Sequence, residues 1–284
     1  MTEKSLEKSL AGRTALVTGG GSGVGFGIAR RLLQHGARVA LAARRVDVLE
    51  SAARRLRSEI EGAQVAIQRC DVTVEDDLAA AVAKAAAPDG RLDIAVANAG
   101  SGAPGPILAL GCDQWRFASD LNILGTALTI KQAALAMQER GGSIVAISSV
   151  EGFKVARYMA PYTVTKAAVE SLVQCAALEL APFRIRVNCI RPGYVPTEGT
   201  ELAFDDADAS QLIEMTPLRR SGRAEEIGDA VAYFSAPSGD WVTGQVLAVD
   251  GGMAIPEGVS FEKLCRKLYG DEVMDRCMGP RAEG

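Results

Sequence analysis

The sequence predicts an α/β protein: a single domain in which helices cover both faces of a doubly wound parallel sheet. Short segments rich in β-branched residues and alanine alternate along the chain with longer segments of helical apolar periodicity, which is typical of parallel sheets. A glycine-rich stretch directly follows the first of these short segments. The chain has 284 residues, 48% of them hydrophobic, so it can bury one large core.

The first predicted strand, residues 13–18, leads into a run of seven residues of which five are glycine. A segment of helical periodicity follows at 26–34. Strand, glycine loop and helix in this order predict a Rossmann-like pyrophosphate-binding turn, because glycines let the backbone approach the anion and free N–H groups at the helix start face it. The spacing is TGxxxGxG, with Gly19, Gly23 and Gly25, and differs from the GxGxxG fingerprint.

Six further strands and two long helices are predicted in order along the chain. The strands lie at 38–42, 64–68, 94–97, 143–148, 186–190 and 245–249, and the helices at about 113–139 and 161–181. Ligands of such sheets bind beyond the C-terminal ends of the strands. We therefore expect four residues just past predicted strand ends to meet in one crevice: Gly19, Asn98, Ser149 and Pro192.

Tyr162 and Lys166 lie four positions apart on the second long helix, so their side chains share a face. A phenol has a pKa near 10, and a cation within a few ångströms lowers it by roughly 1–3 units. We expect Lys166 to lower the pKa of Tyr162, and a second positive charge, such as an oxidised nicotinamide ring, to bring it closer to neutrality. That would suit general acid/base chemistry. Such a pair also arises by chance, so the prediction depends on its context.

The glycine loop TGGGSGVG and the segment YTVTK, in this order, resemble the short-chain dehydrogenase/reductase family over roughly residues 10–253. Five further segments are similar to segments of that family. They are Ala97-Asn98-Ala99-Gly100, where the family has NNAG and the first Asn is replaced, Asp120-Leu121-Asn122, Ile147-Ser148-Ser149, Arg191-Pro192-Gly193 followed by Thr197, and Asp250-Gly251-Gly252.

The resemblance implies an enzyme that interconverts a carbonyl and a secondary alcohol by hydride transfer. It assigns Tyr162 as the general acid/base and Ser149 as a hydrogen-bond partner of the same substrate oxygen. Lys166 would lower the tyrosine pKa and bond the nicotinamide ribose, and Asn122 would hold a water that links this lysine to solvent. Neighbouring Ser148 could compete with Ser149, but the family spacing, 13 places before the tyrosine, favours Ser149.

The end of the second predicted strand indicates the cofactor. Family members that prefer NAD place an acidic residue there, whereas this chain has Ala43 followed by Arg44 and Arg45. Guanidinium is well matched to a ribose 2′-phosphate, so we expect NADP(H) to be preferred, with NAD(H) possible. Ser22 stands where some NADP-preferring members carry a basic residue. The expected cofactor-binding residues are Gly19, Gly21, Ser22, Gly23, Val24, Arg44, Arg45, Asp71, Val72, Asn98, Ala99, Gly100, Tyr162, Lys166, Pro192, Gly193, Val195 and Thr197, with Asp71 at the adenine ring.

Charge and composition argue against other classes of protein. A net charge of −4 without a basic block gives little support for nucleic-acid binding. One histidine and six cysteines without a CxxC pair argue for reduced thiols and against a metal site, a disulfide framework or a Ser/His/Asp triad. No apolar span of 18 residues and no signal peptide is found in the sequence, so we expect a cytoplasmic protein without a membrane partner. The resemblance to the family implies that the protein forms a homotetramer or a homodimer.

Domain organisation follows from the same comparison: a polar N-terminal arm at 1–10, the catalytic domain at 11–253 and a C-terminal extension at 254–284. A substrate lid is expected at about 194–217. The part from 198 to 217 carries six carboxylates and no Lys or Arg, which should repel polyanions unless the carboxylates face solvent. A neutral, apolar ketone or alcohol is therefore the expected substrate. The alternatives are a 3-oxoacyl-thioester reductase of fatty-acid type and a non-catalytic NADP-binding regulatory protein.

The C-terminal extension contains a predicted amphipathic helix. Its apolar stripe consists of Phe261, Leu264, Cys265 and Leu268, at positions i, i+3, i+4 and i+7. Such a stripe must be buried somewhere. It could pack on the exterior of its own subunit, or lie across the crevice mouth or on a neighbouring subunit.

Overall fold

The computed structural model describes residues 9–87, 89–201, 204–256 and 258–277. In these residues seven parallel strands form one sheet in the order β3-β2-β1-β4-β5-β6-β7. The strands are β1 (Thr14–Thr18), β2 (Arg38–Ala43), β3 (Val65–Arg69), β4 (Ile94–Ala97), β5 (Gly142–Ile147), β6 (Ile185–Pro192) and β7 (Val246–Val249). The predicted fold class is confirmed, and the strand ends differ from the predicted ones by one or two residues at most.

The described part of the chain contains eleven α-helices. The α-helices are α1 (Gly23–Gln34), α2 (Val46–Glu59), α3 (Glu75–Ala86), α4 (Cys112–Ala118), α5 (Gly125–Met137), α6 (Ala160–Leu180), α7 (Glu198–Glu201), α8 (Asp206–Glu214), α9 (Ala224–Ser235), α10 (Glu262–Tyr269) and α11 (Asp271–Cys277). Six of them, α1, α2, α3, α5, α6 and α9, supply the buried residues that cover the two faces of this sheet. Successive strand residues point to opposite faces: Val17 packs in the core with α1, α2 and α9, and Leu16 in the core with α3, α5 and α6.

The direction in which successive strands are added to the sheet reverses between β1 and β4, which are parallel neighbours in space but not consecutive in sequence. β1 pairs with β2 on one side and with β4 on the other. In sheets of this kind the connections that follow the two central strands diverge and leave a crevice between them. The glycine loop after β1 and the segment after β4 therefore border the same crevice.

The predicted helix at 113–139 is interrupted. A π-helical turn, Ser119–Leu124, separates α4 from α5. Such a turn accommodates an extra residue in the helical ladder and occurs often at functional sites, and this one contains Asn122. Apolar periodicity does not reveal it, because the periodicity resumes beyond the turn.

The first helix begins at Gly23 rather than at residue 26. Glycine has a low helix propensity, so the sequence pattern places the start after the glycines. At the other end His35 is the C-cap residue of α1, and its Nδ1 atom lies 3.0 Å from Ser9 Oγ. Leu10, the last residue of the predicted arm, is fully buried in the core, whereas residues 1–8 of the arm lie outside the described residues.

The predicted C-terminal helix is present as α10, and its apolar stripe is exposed. Phe261, Leu264 and Leu268 are 68%, 50% and 66% exposed. Packing of this stripe on the exterior of its own subunit is therefore not observed among the described residues. An isolated helix gains little from its own propensity, so contact with a neighbouring subunit or the crevice mouth stays a prediction.

A membrane-spanning helix is absent from the described part of the chain: none of its helices combines the length and the apolar character needed to cross a bilayer.

Candidate active site

The glycine loop between β1 and α1 is fixed to the end of β4. The Thr18 hydroxyl oxygen accepts a hydrogen bond of 3.0 Å from the Asn98 N–H, and Asn98 Nδ2 donates one of 2.8 Å to the Thr18 carbonyl oxygen. A Cβ atom at Gly25 would clash with the Gly19 carbonyl oxygen and with Asn98 Nδ2. Only glycine fits there. The cradle therefore fits a dinucleotide pyrophosphate, because its backbone is closely packed and the start of α1 lies beside it.

The segment after β6 closes the same cradle. Gly23 has φ +52°, and a Cβ atom there would lie 3.1 Å from Thr197 Cγ2. Pro192 is the last residue of β6, and Pro192 and Val195 are both buried. Gly193 is held against Asp250, where a Cβ atom would approach the Asp250 Cα to 2.8 Å. The structure thus brings this predicted segment, including Thr197, against the glycine loop.

The predicted cofactor-specificity residues lie at the ends of β2 and β3. Arg44 and Arg45 directly follow β2, and both are exposed. Asp71 Oδ1 accepts hydrogen bonds from the Thr73 N–H at 3.0 Å and the Thr73 hydroxyl at 2.8 Å. The Thr73 N–H is the main cause of a lowered pKa of Asp71, and the positive charge of Arg44 lowers it further. Asp71 is therefore ionised at neutral pH and close enough to Arg44 to feel its charge.

Tyr162 and Lys166 lie in the first two turns of α6. The Lys166 Nζ atom is 5.6 Å from the centroid of the Tyr162 ring. Lys166 is 5% exposed, and its ammonium donates a hydrogen bond of 2.8 Å to the Ile147 carbonyl oxygen. Burial lowers the pKa of Lys166 to about 8, because removing the ammonium from water disfavours its charged form.

The expected lowering of the Tyr162 pKa is not observed in the chain alone. Burial raises the pKa of Tyr162 to about 12; a hydrogen bond with Ser149 lowers it, and the negative charge of Glu151 raises it. The helical spacing correctly places the cation on the same face as the phenol. It does not report the desolvation of the phenol, which opposes ionisation more strongly.

The two adjacent serines have different surroundings. Ser148 is buried, and its hydroxyl lies 2.9 Å from Glu170 Oε1 and 3.1 Å from the Lys166 carbonyl oxygen. Ser149 is partly exposed; its Oγ accepts a hydrogen bond of 3.2 Å from the Glu151 N–H and its side chain contacts Tyr162. Ser149 is thus the serine that faces the phenol, while Ser148 holds α6 to β5.

Asn122 is buried beside Lys166. Its Nδ2 atom donates to the Ser101 carbonyl oxygen at 3.0 Å and to the Thr165 hydroxyl at 2.9 Å, and its Oδ1 accepts from the Ser101 N–H at 3.0 Å. A Cβ atom at Gly100 would lie 2.9 Å from Asn122 Oδ1 and 3.1 Å from Lys166 Nζ. Both amide hydrogens of Asn122 are used within the protein, so the amide fixes the 100–101 segment and α6 relative to each other.

Three charged residues close to the predicted site receive no role in the sequence analysis, and the first is Glu151. It lies two positions after Ser149, burial raises its pKa, and its Oε2 atom is buried without a hydrogen-bond partner in the part of the chain that the structure describes. A carboxyl group of this kind is costly to bury. Its distance of two residues from the predicted serine is the signal that could have drawn attention to it.

The other two residues are Glu170 and Arg191, which form a bidentate ion pair. Arg191 Nε donates to Glu170 Oε1 at 2.9 Å, and the second Arg191 nitrogen donates to Glu170 Oε2 at 2.6 Å. The guanidinium also lies 4.7 Å from the centroid of the Phe153 ring. Glu170 lies four positions after Lys166 and therefore on the same face of α6. The ion pair joins this face of α6 to the end of β6.

The predicted lid contains two short helices, α7 and α8. Among its described side chains, the carboxylates face solvent: Glu198, Asp205, Asp206, Asp208 and Glu214 are all exposed. The expected repulsion of polyanionic substrates therefore loses its main support, because charges in water are screened. A ring contact between Tyr194 and Phe204, with centroids 6.2 Å apart, packs the lid onto the segment after β6.

Comparison with known proteins gives consistent similarities. A family model described as enoyl-(acyl carrier protein) reductase matches residues 19–254. The 3-oxoacyl-[acyl-carrier-protein] reductase FabG of Chlamydia muridarum is 34% identical over 247 residues, which cover 86% of this chain and 98% of the relative. The cis-4-hydroxycyclohexanecarboxylate dehydrogenase of Sinomonas cyclohexanicum is 38% identical over 250 residues, 86% of this chain and 98% of the relative. A short-chain type dehydrogenase/reductase structure from Mycobacterium ulcerans, 36% identical, superposes with a TM-score of 0.82 over 95% of this chain and 99% of its own.

Proposed function

The chain belongs to the short-chain dehydrogenase/reductase family of oxidoreductases that act on carbonyl and alcohol groups with NAD(P)(H), and from this premise we propose that it is an NADP(H)-dependent enzyme that interconverts a ketone and a secondary alcohol. The observation that carries the proposal is the contact between Ser149 and Tyr162, beside the buried Lys166. This arrangement offers two hydroxyl groups to one substrate oxygen.

Tyr162 is the proposed general acid/base. A phenol with a pKa of about 12 is protonated at neutral pH, so it can donate its proton to a carbonyl oxygen that becomes an alcohol. Ser149 donates a hydrogen bond to the same oxygen and holds the carbonyl in place. In the reverse direction Tyr162 removes the alcohol proton, and the Lys166 ammonium favours the phenolate that this requires.

The nicotinamide, when bound, supplies or accepts the hydride. Gly19, Gly23 and Gly25 would hold the pyrophosphate, and Lys166 the nicotinamide ribose. Arg44 would pair with the ribose 2′-phosphate, since an exposed guanidinium can bind phosphate through two parallel hydrogen bonds. Asp71 would accept a hydrogen bond from the adenine amino group. The absence of a carboxylate at Ala43 and the exposed position of Arg44 directly after β2 support the preference for NADP(H).

A neutral ketone or secondary alcohol is the proposed substrate class. The reason is Glu151, whose partly buried carboxyl group raises the pKa of Tyr162 and would repel a second carboxylate close to the reacting carbon. The exposed lid carboxylates add little to this preference.

A 3-oxoacyl thioester is the second candidate substrate, and the similarity to the 3-oxoacyl-[acyl-carrier-protein] reductase of C. muridarum favours it. Such a thioester is neutral at its reacting carbonyl, so Glu151 does not exclude it. The carrier to which the acyl group is attached would have to lie close to the exposed carboxylates of α8 when the thioester is bound.

A panel of ketones and secondary alcohols, read by NADPH absorbance, tests the proposal. A 3-oxoacyl thioester belongs in the panel, NADH serves as a parallel cofactor arm, and the Tyr162→Phe variant provides the blank. We expect turnover of at least one neutral ketone with NADPH. Tight NADPH binding without turnover of any member of the panel would instead favour a non-catalytic regulatory protein.

A further inference from the structure

A cavity of about 270 Å³ opens at the amino ends of the strands, at the edge of the sheet opposite the glycine cradle. Arg13 lies just before β1, Asp93 just before β4, and Arg186 near the start of β6, and all three line the cavity. β1 alone separates the two edges by about 15 Å, at roughly 3.3 Å a residue. The cavity is therefore separate from the proposed active site.

Positive charge is in excess in this cavity. Five arginines line it, against two carboxylates, and they are Arg13, Arg91, Arg140, Arg184 and Arg186. Both carboxylates are already paired: Asp93 with Arg13 at 3.1 Å and Arg91 at 2.9 Å, and Asp240 with Arg186 at 3.3 Å.

Arg140 and Arg184 form no ion pair with any residue that the structure describes. Both side chains are exposed, so they can turn towards a ligand in the cavity. Arg184 Nη2 donates one hydrogen bond of 2.9 Å, to the Glu139 carbonyl oxygen. An anion bound in the cavity would therefore meet two guanidinium groups that no carboxylate of the described residues neutralises.

The arginines also repel each other. The Arg186 side chain is only 16% exposed. Burial lowers its pKa, Asp240 raises it, and the positive charge of Arg13 lowers it again. An anion between two guanidinium groups that repel each other in this way would stabilise the positive charge of both.

The lining of the cavity also contains a buried hydroxyl group, that of Ser235 at the end of α9. This residue lines the cavity and is 7% exposed, and its hydroxyl has no hydrogen-bond partner among the described residues. Buried polar groups almost always have a partner. The Ser235 oxygen atom has almost no accessible surface, so a ligand oxygen in the cavity would bond this hydroxyl only after rotation of the Ser235 side chain.

We propose that this cavity binds a small polyanion with phosphate or carboxylate groups, held by the guanidinium groups of Arg13, Arg140, Arg184 and Arg186. Guanidinium pairs with both kinds of oxyanion through parallel N–H donors. The volume is far above the roughly 10–15 Å³ that holds one water molecule, so it admits a diphosphate or a tricarboxylate.

The proposal is tested by calorimetric titration of the full chain with inorganic pyrophosphate and, separately, with citrate at low ionic strength. The test variant is Arg140→Gln/Arg184→Gln, which removes two exposed charges without breaking an ion pair with any described residue. The control is Arg54→Gln/Arg116→Gln, which removes the same charge elsewhere. Its side chains are 69% and 74% exposed, and each forms one long ion pair, with Glu50 at 3.8 Å and Asp113 at 4.0 Å. Thermal unfolding of each variant establishes that it is folded.

We expect at least one of the two anions to bind the wild type, and the test variant to bind it at least about tenfold more weakly, because each guanidinium contributes charge-assisted hydrogen bonds. The control should stay within about twofold of the wild type, as expected for a screened distant charge. Preference for pyrophosphate or for citrate identifies the phosphate or the carboxylate source. Equal affinities in test variant and control would place any bound anion elsewhere, for instance in the glycine cradle, and overturn the proposal. An absence of binding to the wild type would overturn it as well.

Discussion

The Lys166 ammonium donates a hydrogen bond of 2.8 Å to the carbonyl oxygen of Ile147, the last residue of β5. This bond ties α6 to the strand that leads into Ser149 two positions later. Lys166 is therefore both a charge on the face of Tyr162 and a structural link between the two elements that carry the proposed hydroxyl groups. Substitutions at Lys166 and Tyr162 should consequently differ in their effects.

Tyr162→Phe should abolish turnover and leave NADPH affinity nearly unchanged, because only the proton-donating oxygen is lost. Lys166→Ala should reduce both turnover and NADPH affinity, since it also removes the bond to Ile147 and the proposed contact with the ribose. Single-turnover kinetics and fluorescence titration with NADPH separate the two quantities. Near-normal turnover in Tyr162→Phe would show that the catalytic assignment is wrong.

Arg44→Asp should reverse the cofactor preference. A carboxylate at this position repels the 2′-phosphate and can accept hydrogen bonds from the ribose hydroxyls of NAD(H). Loss of a charge-assisted hydrogen bond of about 1.5–3 kcal/mol implies roughly 10- to 150-fold weaker NADP(H) binding. Dissociation constants for both cofactors check this, with Arg54→Asp as the control on the exposed face of α2. Equal affinity of the wild type for the two cofactors would contradict the assignment.

Glu151→Gln should move the pH dependence of both reaction directions to lower pH. Reduction needs protonated Tyr162 and is lost as pH rises through its pKa; oxidation needs the phenolate and is gained over the same range. The ionised Glu151 raises that pKa, so a neutral side chain of the same size should lower it.

The pH profiles of kcat for ketone reduction and alcohol oxidation measure this shift. Glu198→Gln is the matched control, because it removes a carboxylate that is exposed on the lid. A profile that is unchanged in Glu151→Gln, or that moves equally in the control, would show that Glu151 does not act on Tyr162.

Gly25→Ala should weaken cofactor binding and destabilise the fold. Its Cβ atom would meet the Gly19 carbonyl oxygen and Asn98 Nδ2, and the cost of such overpacking is about 1–3 kcal/mol. Gly258→Ala is the control, because no atom lies within 4 Å of its added Cβ. Thermal unfolding and NADPH titration measure the two effects. Equal stability and equal NADPH affinity in Gly25→Ala and Gly258→Ala would show that the close packing at Gly25 is not required.

Removal of the C-terminal helices by truncation after Pro256 should change the subunit count or the substrate KM and spare NADPH binding. The exposed stripe of Phe261, Leu264 and Leu268 would contribute about 1.5–3 kcal/mol per side chain if another surface buries it. The cut has to follow Met253, which is 5% exposed and whose carbonyl oxygen accepts a hydrogen bond from Lys154.

Light scattering and steady-state kinetics measure the effect of the truncation. The full-length Leu264→Gln/Leu268→Gln variant tests the stripe without shortening the chain. If subunit count and KM match the wild type in both proteins, the helix contributes to neither assembly nor substrate binding.

Much of the fold and part of the site could be predicted from local patterns. Strand positions, the glycine loop and the Tyr162–Lys166 spacing depend on residues that are close in sequence, and periodicity and glycine content report such short-range relations directly. The order of the parallel strands then follows from the fold class, and with it the meeting of Asn98, Ser149 and Pro192 at one edge of the sheet.

The tertiary structure decided the properties that depend on distance through space. Burial raises the pKa of Tyr162, against the direction that the spacing to Lys166 predicts, and it lowers the pKa of Lys166. The unpartnered carboxyl oxygen of Glu151 is visible only once its surroundings are known. The arginine cavity is a further case, because its charged residues are spread along the chain from Arg13 to Asp240. Desolvation and Coulomb energies depend on what surrounds a group in three dimensions, whereas the sequence by itself determined the elements that bring those groups together.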